Sequence, residues 1–141
     1  MSSVLVVDDD PDILFAVVDA CAAAGYSALT ASSGEEALDE LRSRGDIGLV
    51  LLDVQMPGLT GLEVVAIAQH DPDLARVPFV LMTAASNVVA PPRMQLIRKP
   101  FSLVQLLGLA AEYLDGARSS LSRSPTSGAS GSENFSVRRV P

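Results

Sequence analysis

The sequence predicts an α/β fold, a five-stranded parallel sheet with helices on both faces and with the fourth helix reduced or absent. Three observations lead there. Short aliphatic runs at 4–7, 47–52 and 79–82 carry no charge and suit strands buried on both faces. Stretches with apolar residues at helical spacing alternate with those runs. Capping residues, Gly and Pro mark the junctions. Buried strands alternating with helices imply parallel pairing through right-handed crossovers.

The elements follow in order. VLVV (4–7) reads as a buried strand. Asp10 can cap a helix with Pro11 at its first position; Ile13, Val17, Cys21 and Ala24 fall on one face, and Gly25 ends it. Residues 27–31 form a weaker strand. Ser33 with Glu36 makes a capping-box pattern before Ala37, Leu38 and Leu41. IGLVLLD (47–53) is a strongly aliphatic third strand. Thr60 can cap a helix carrying Leu62, Val65 and Ala66, which His70-Asp71-Pro72 stops. FVLMT (79–83) and MQLIR (94–98) are the last two strands. Ser102 then caps a helix with Leu103, Leu106, Leu107, Ala110 and Leu114 at helical spacing, and its leucines read as core. Only residues 84–98 separate Thr83 from Lys99. A strand of about five leaves roughly ten, whereas a typical helix takes about 11. Pro91-Pro92 also breaks whatever starts at Ser86, so at most one helical turn is expected there.

Composition bounds the function. A chain of 141 residues, 48% hydrophobic, fits one domain with a real core. Residues 1–116 read as that domain, and 117–141, rich in Ser and Gly, as a disordered tail or linker. Arg118, Arg123, Arg138 and Arg139 against Glu133 give 117–141 a charge of +3, so the overall −7 leaves −10 on residues 1–116. A domain that acidic is a poor candidate for nucleic acid, which needs a Lys/Arg face. The single cysteine, Cys21, excludes an internal disulfide and reads as a small core residue. The first residues lack a signal-peptide pattern, and 47–52 is too short to cross a bilayer; the expectation is a cytoplasmic protein without membrane insertion.

In an open parallel sheet, ligands sit beyond the carboxyl ends of the strands, near the reversal of strand order. The flavodoxin-like order 2-1-3-4-5 puts that reversal between the first and third strands. The strand ends supply Asp8 and Asp9, Asp53, Thr83 and Lys99. Two carboxylates about 4 Å apart repel by roughly 4 kcal/mol at an effective dielectric near 20, so three need a compensating cation. Oxygen donors with no His or Cys nearby select a hard ion, Mg²⁺ or Mn²⁺, and Mg²⁺ typically joins carboxylates to a phosphate oxygen. Lys99 would answer a phosphoryl charge, and the Thr83 hydroxyl can donate to it. Lys99 is the chain's only lysine against nine arginines, which suggests that a compact ammonium matters there. Arg98 beside it reads as solvated, and His70, the only histidine, as structural or exposed.

Four segments in order, VVDDDP, LLDVQMPGLTG, VLMTA and RKPF, make residues 3–116 resemble the receiver domain of bacterial two-component response regulators. The resemblance implies that Asp53 accepts a phosphoryl group from a phosphohistidine on a sensor histidine kinase or phosphotransfer protein. It implies that Asp8, Asp9, Asp53 and the backbone carbonyl of Gln55 hold Mg²⁺. Thr83 would swing toward the aspartyl phosphate, Lys99 would pair with it, and the Lys99–Pro100 bond would be cis. The signal would pass to an unknown downstream protein, with no catalytic activity beyond self-catalysed phosphotransfer and dephosphorylation at Asp53. Two departures stand out: the short 84–93 segment, and Leu96 where the family carries a switch aromatic. The chemistry looks intact and the readout altered.

Each residue also has a plainer reading. Asp8 and Asp9 could be a helix-entry pair, Asp53 a turn aspartate ahead of Met56-Pro57-Gly58, and Thr83 an ordinary strand end. Two other functions fit parts of the pattern. A receiver-like scaffold would dock a partner without phosphate. A Mg²⁺-dependent phosphatase of the haloacid dehalogenase kind would want a second acid where Gln55 stands.

Overall fold

The computed structural model describes residues 2–115. The tail expected at 117–141 lies outside them. The elements are β1 (Ser3–Val7), α1 (Pro11–Ala23), β2 (Ser27–Ala31), α2 (Gly34–Ser43), β3 (Ile47–Asp53), α3 (Gly61–Gln69), β4 (Phe79–Thr83), β5 (Gln95–Arg98) and α4 (Leu103–Ala110). A π-helical turn over Ala111–Asp115 follows. All neighbouring strands pair in parallel, in the order β2-β1-β3-β4-β5, which is the expected flavodoxin-like arrangement.

Strand alternation builds two cores. Leu5 and Val7 of β1 point to one face, with Val50, Leu52 and Leu81, and α2 and α3 cover them through Leu38, Leu41, Val64 and Val65. Val4 and Val6 point to the other face, with Leu49, Leu51 and Met82, where α1 and α4 add Val17, Cys21, Leu106 and Leu109. Each fully buried aliphatic side chain contributes about 1.5–3 kcal/mol, so the central strands anchor the ends that carry the site.

No helix joins β4 to β5; residues 84–94 cross as turns and bends. Val88, Ala90 and Met94 pack partly against the α2/α3-side core. Shortness and the Pro pair thus had the expected consequence.

Four local expectations need correction. Ser33 does accept from the Glu36 amide at 3.1 Å, but the Glu36 carboxylate turns back to Ser32, so the reciprocal box is not formed there. It forms instead at Thr60 and Glu63. In α3 the buried residues are Gly61, Val64, Val65 and Ala68, while Leu62 and Ala66 face outward. GLEVVAIA is apolar nearly all round, so periodicity alone did not fix its rotation; the packing of Gly61 on the backbone of Asp53 and Val54 does. Leu103, at the first position of α4, is 40% exposed at the rim, and Leu109 takes the core position. Ala24 caps α1 and is exposed.

Candidate functional site

The three consecutive aspartates divide between three tasks. Asp8, at the end of β1, is fully buried; one carboxylate oxygen accepts from the Asp10 amide at 2.9 Å and the other from Lys99 Nζ at 2.7 Å. Asp9 is exposed beside it. Asp10 caps α1, accepting from the Asp12 amide at 2.9 Å. The three carboxylates therefore have different surroundings: Asp8 faces the Lys99 ammonium, Asp9 is open to solvent, and Asp10 faces a helix N-terminus, where negative charge is favoured.

Asp53 ends β3 and is buried. Ligand atoms of Asp8, Asp9 and Asp53 lie within 4.8 Å of one another. Lys99 Nζ stands 3.5 Å from Asp53 Oδ1, so the ammonium bridges Asp8 and Asp53. Burial, then the Asp8 charge, push the Asp53 carboxyl up to about 6, against the pull of Lys99 and a hydrogen bond from the Gln55 backbone amide. Burial pulls the Lys99 ammonium down, but its hydrogen bond to Asp8 and the charges of Asp53 and Asp8 outweigh this and raise it. The ammonium is held charged by the carboxylates it neutralises.

The donor set fits a hard divalent cation. All its atoms are carboxylate oxygens, two carboxylates are fixed by burial, and Asp9 is open to solvent, leaving room for the waters that Mg²⁺ keeps.

Thr83 ends β4 and is fully buried. Its Oγ1 accepts from the Ala85 amide at 3.0 Å, and its carbonyl accepts from the Lys99 amide at 2.8 Å. The Lys99–Pro100 bond is cis, as the resemblance implies. Sheet pairing thus brings Asp8, Asp9, Asp53 and Lys99 to one rim, with Thr83 on the neighbouring strand. His70 is exposed, its Nδ1 2.8 Å from the Ala66 carbonyl, and takes no part.

Arg98 is exposed, as the sequence reading expects, but it is not without partners. Its guanidinium donates to the Ala85 carbonyl at 2.6 Å and the Val88 carbonyl at 3.1 Å. The available clue was strand alternation, which puts Arg98 on the same face as Leu96, above the crossover that lacks a helix.

Residues 4–110 match the response regulator receiver domain family. The polar-differentiation response regulator DivK of Brucella ovis is 31% identical over 121 residues, covering 82% of this chain and 98% of DivK. YrkP of Bacillus subtilis, an uncharacterized transcriptional regulatory protein, is 37% identical over 86 residues; these cover 61% of this chain but 35% of YrkP, so the chain matches about a third of that protein's length. Among solved structures, the response regulator TrrA of Thermotoga maritima in complex with Mg²⁺-BeF superposes with a TM-score of 0.70 at 31% identity, covering 80% of this chain and 99% of TrrA. Among the described residues, no helix is long and apolar enough to cross a membrane. On the matched profile, the sheet order and the acidic rim together, this chain belongs to the response regulator receiver domain family.

Proposed function

We propose that Asp53 is a phosphoacceptor and that its modification relays a signal from a sensor histidine kinase or phosphotransfer protein to a downstream protein. The observation that carries this reading is the meeting of Asp8, Asp9 and Asp53 within 4.8 Å of one another, with Lys99 bridging Asp8 and Asp53. In the transfer, an Asp53 oxygen forms a bond to phosphorus as the N–P bond to the donor imidazole breaks, and the electron pair leaves with the ring nitrogen. At pH 7, a carboxyl with a pKa of about 6 is still mostly ionised and nucleophilic. Lys99 then turns from the carboxylates toward the phosphoryl oxygens, and the Thr83 hydroxyl donates to one of them. Asp8, Asp9, Asp53 and the Gln55 backbone carbonyl would hold Mg²⁺. The ion supplies charge neutralisation for the transferring group.

The donor is read as a protein because the helices flanking the rim leave apolar side chains in the open. Phe15 on α1 is 76% exposed, and Val104 on α4 is 82% exposed. Both helices begin at the rim and share one face of the sheet. Residues 1–116 form the receiver on this reading, which places the protein in the cytoplasm with its donor.

The test is incubation with acetyl phosphate and Mg²⁺ followed by intact mass. One added phosphoryl per chain is expected, lost with chelator and absent in Asp53→Asn. Well-folded wild-type protein that stays unmodified would favour a phosphate-independent docking scaffold instead.

A further inference from the structure

The stretch between β4 and β5 has lost its helix and yet leaves Thr83 buried and oriented. Ala85 explains how. Its amide donates to Thr83 Oγ1 at 3.0 Å, and its carbonyl accepts from Arg98 Nη1 at 2.6 Å. Arg98 Nη2 reaches three residues further, to the Val88 carbonyl at 3.1 Å. Arg98 is in turn the register partner of Thr83, and the Lys99 amide donates to the Thr83 carbonyl. These contacts close a ring running Thr83, Ala85, Arg98 and back to Thr83.

We infer that Arg98 is a positioning residue, a clasp that fixes residues 85–88 in place of the absent helix and thereby sets the orientation of the Thr83 hydroxyl. A helix would hold such a segment with its own backbone ladder; between Ala84 and Arg93 there is no helix or strand to do so. Two carbonyls three residues apart need two donors in a fixed fork, which guanidinium supplies and ammonium does not. In its bond with Ala85, Thr83 Oγ1 acts as acceptor, which leaves its own proton free of that bond. Leu96 lies on the same face as Arg98 and cannot report on the segment by swinging a polar tip. Arg98 does what that side chain cannot: it ties the segment bearing the 82%-exposed Val89 to the strand that ends at Lys99. The link to chemistry rests on the phosphoacceptor reading of Asp53, whereas the clasp itself does not.

The test uses the full chain and two readouts. Hydrogen exchange is measured on unmodified protein, and the rate of phosphoryl adduct formation is measured with acetyl phosphate and Mg²⁺. In Arg98→Ala, the amides of 85–94 are expected to exchange about tenfold faster or more, while those of β1 and β3 stay unchanged. The adduct is expected to form about 3–10-fold more slowly, as for a displaced positioning group. Arg98→Lys keeps the charge and one donor direction and should fall between wild type and Arg98→Ala in both readouts; it also carries the comparison should Arg98→Ala lose core protection. Superimposable exchange profiles would overturn the clasp. Faster exchange with an unchanged adduct rate would overturn its connection to Thr83. Absence of any adduct on wild type would overturn the Asp53 reading, and the exchange data would still decide the clasp.

Discussion

Asp53 holds its charge against its surroundings, and the sign of that conflict is measurable. Its folded pKa of about 6 lies above the ordinary value of 3.8. Between those values the folded chain binds more protons than the unfolded one, so stability falls as pH rises from about 4 to about 6 and then levels off. The shift corresponds to about 3 kcal/mol at most. With chelator present, Asp53→Asn should therefore raise stability at pH 7 by about 1–3 kcal/mol and flatten this part of the pH profile. Urea melts at pH 4.5 and pH 7 would show it; a variant less stable than wild type at pH 7 would contradict the burial of an ionised Asp53. Lys99→Ala should act in the opposite direction. It leaves Asp8 and Asp53 without their shared cation, and loss of one partner from a buried pair costs about 3–5 kcal/mol. Without chelator, a saturating divalent ion should recover part of that loss in thermal melts.

At the scale of elements, the site depends on how helices are started. Gly61 opens α3 directly on the end of β3: a Cβ there would clash with the Asp53 carbonyl oxygen and stand 2.8 Å from Val54 Cα. Both obstacles are backbone and cannot swing aside. Gly61→Ala should cost about 2–4 kcal/mol in chemical denaturation and also slow adduct formation at Asp53, since the displaced group is the backbone of the acceptor itself. Thr60→Ala, which removes one half of a formed capping box, should cost about 1 kcal/mol and leave the adduct rate nearly unchanged. The contrast separates helix stability from site geometry. Strand and helix types, and the caps at Asp10, Thr60 and Ser102, were legible because they rest on local spacing. The rotation of α3 was not, because an almost wholly apolar helix has no polar face to exclude.

For the whole molecule, the sheet order decides everything else. β1 lies between β2 and β3, and β4 and β5 extend beyond β3, which gathers residues 8, 53 and 99 at one end of the sheet. A chain shortened to residues 1–116 is expected to keep the thermal midpoint and adduct yield of the full chain, since, among the described residues, both cores are built within 4–114. A drop in either would move the domain boundary. The β4–β5 connection carries no helix, so, on the phosphoacceptor reading of Asp53, its readout is expected to run through the clasped 85–88 segment.

Sequence alone determined the alternation of strands and helices, the carboxylates at the strand ends and the shortness of the last crossover, because spacing, charge and chain length act locally. Tertiary structure decided which ion pairs form and which faces are buried. Lys99 settles on Asp8 more closely than on Asp53, and Arg98 grips a passing loop, because those partners lie 91, 13 and 10 residues away along the chain for Asp8, Ala85 and Val88. Such contacts are set by the register of neighbouring strands, and no local pattern of residues encodes it.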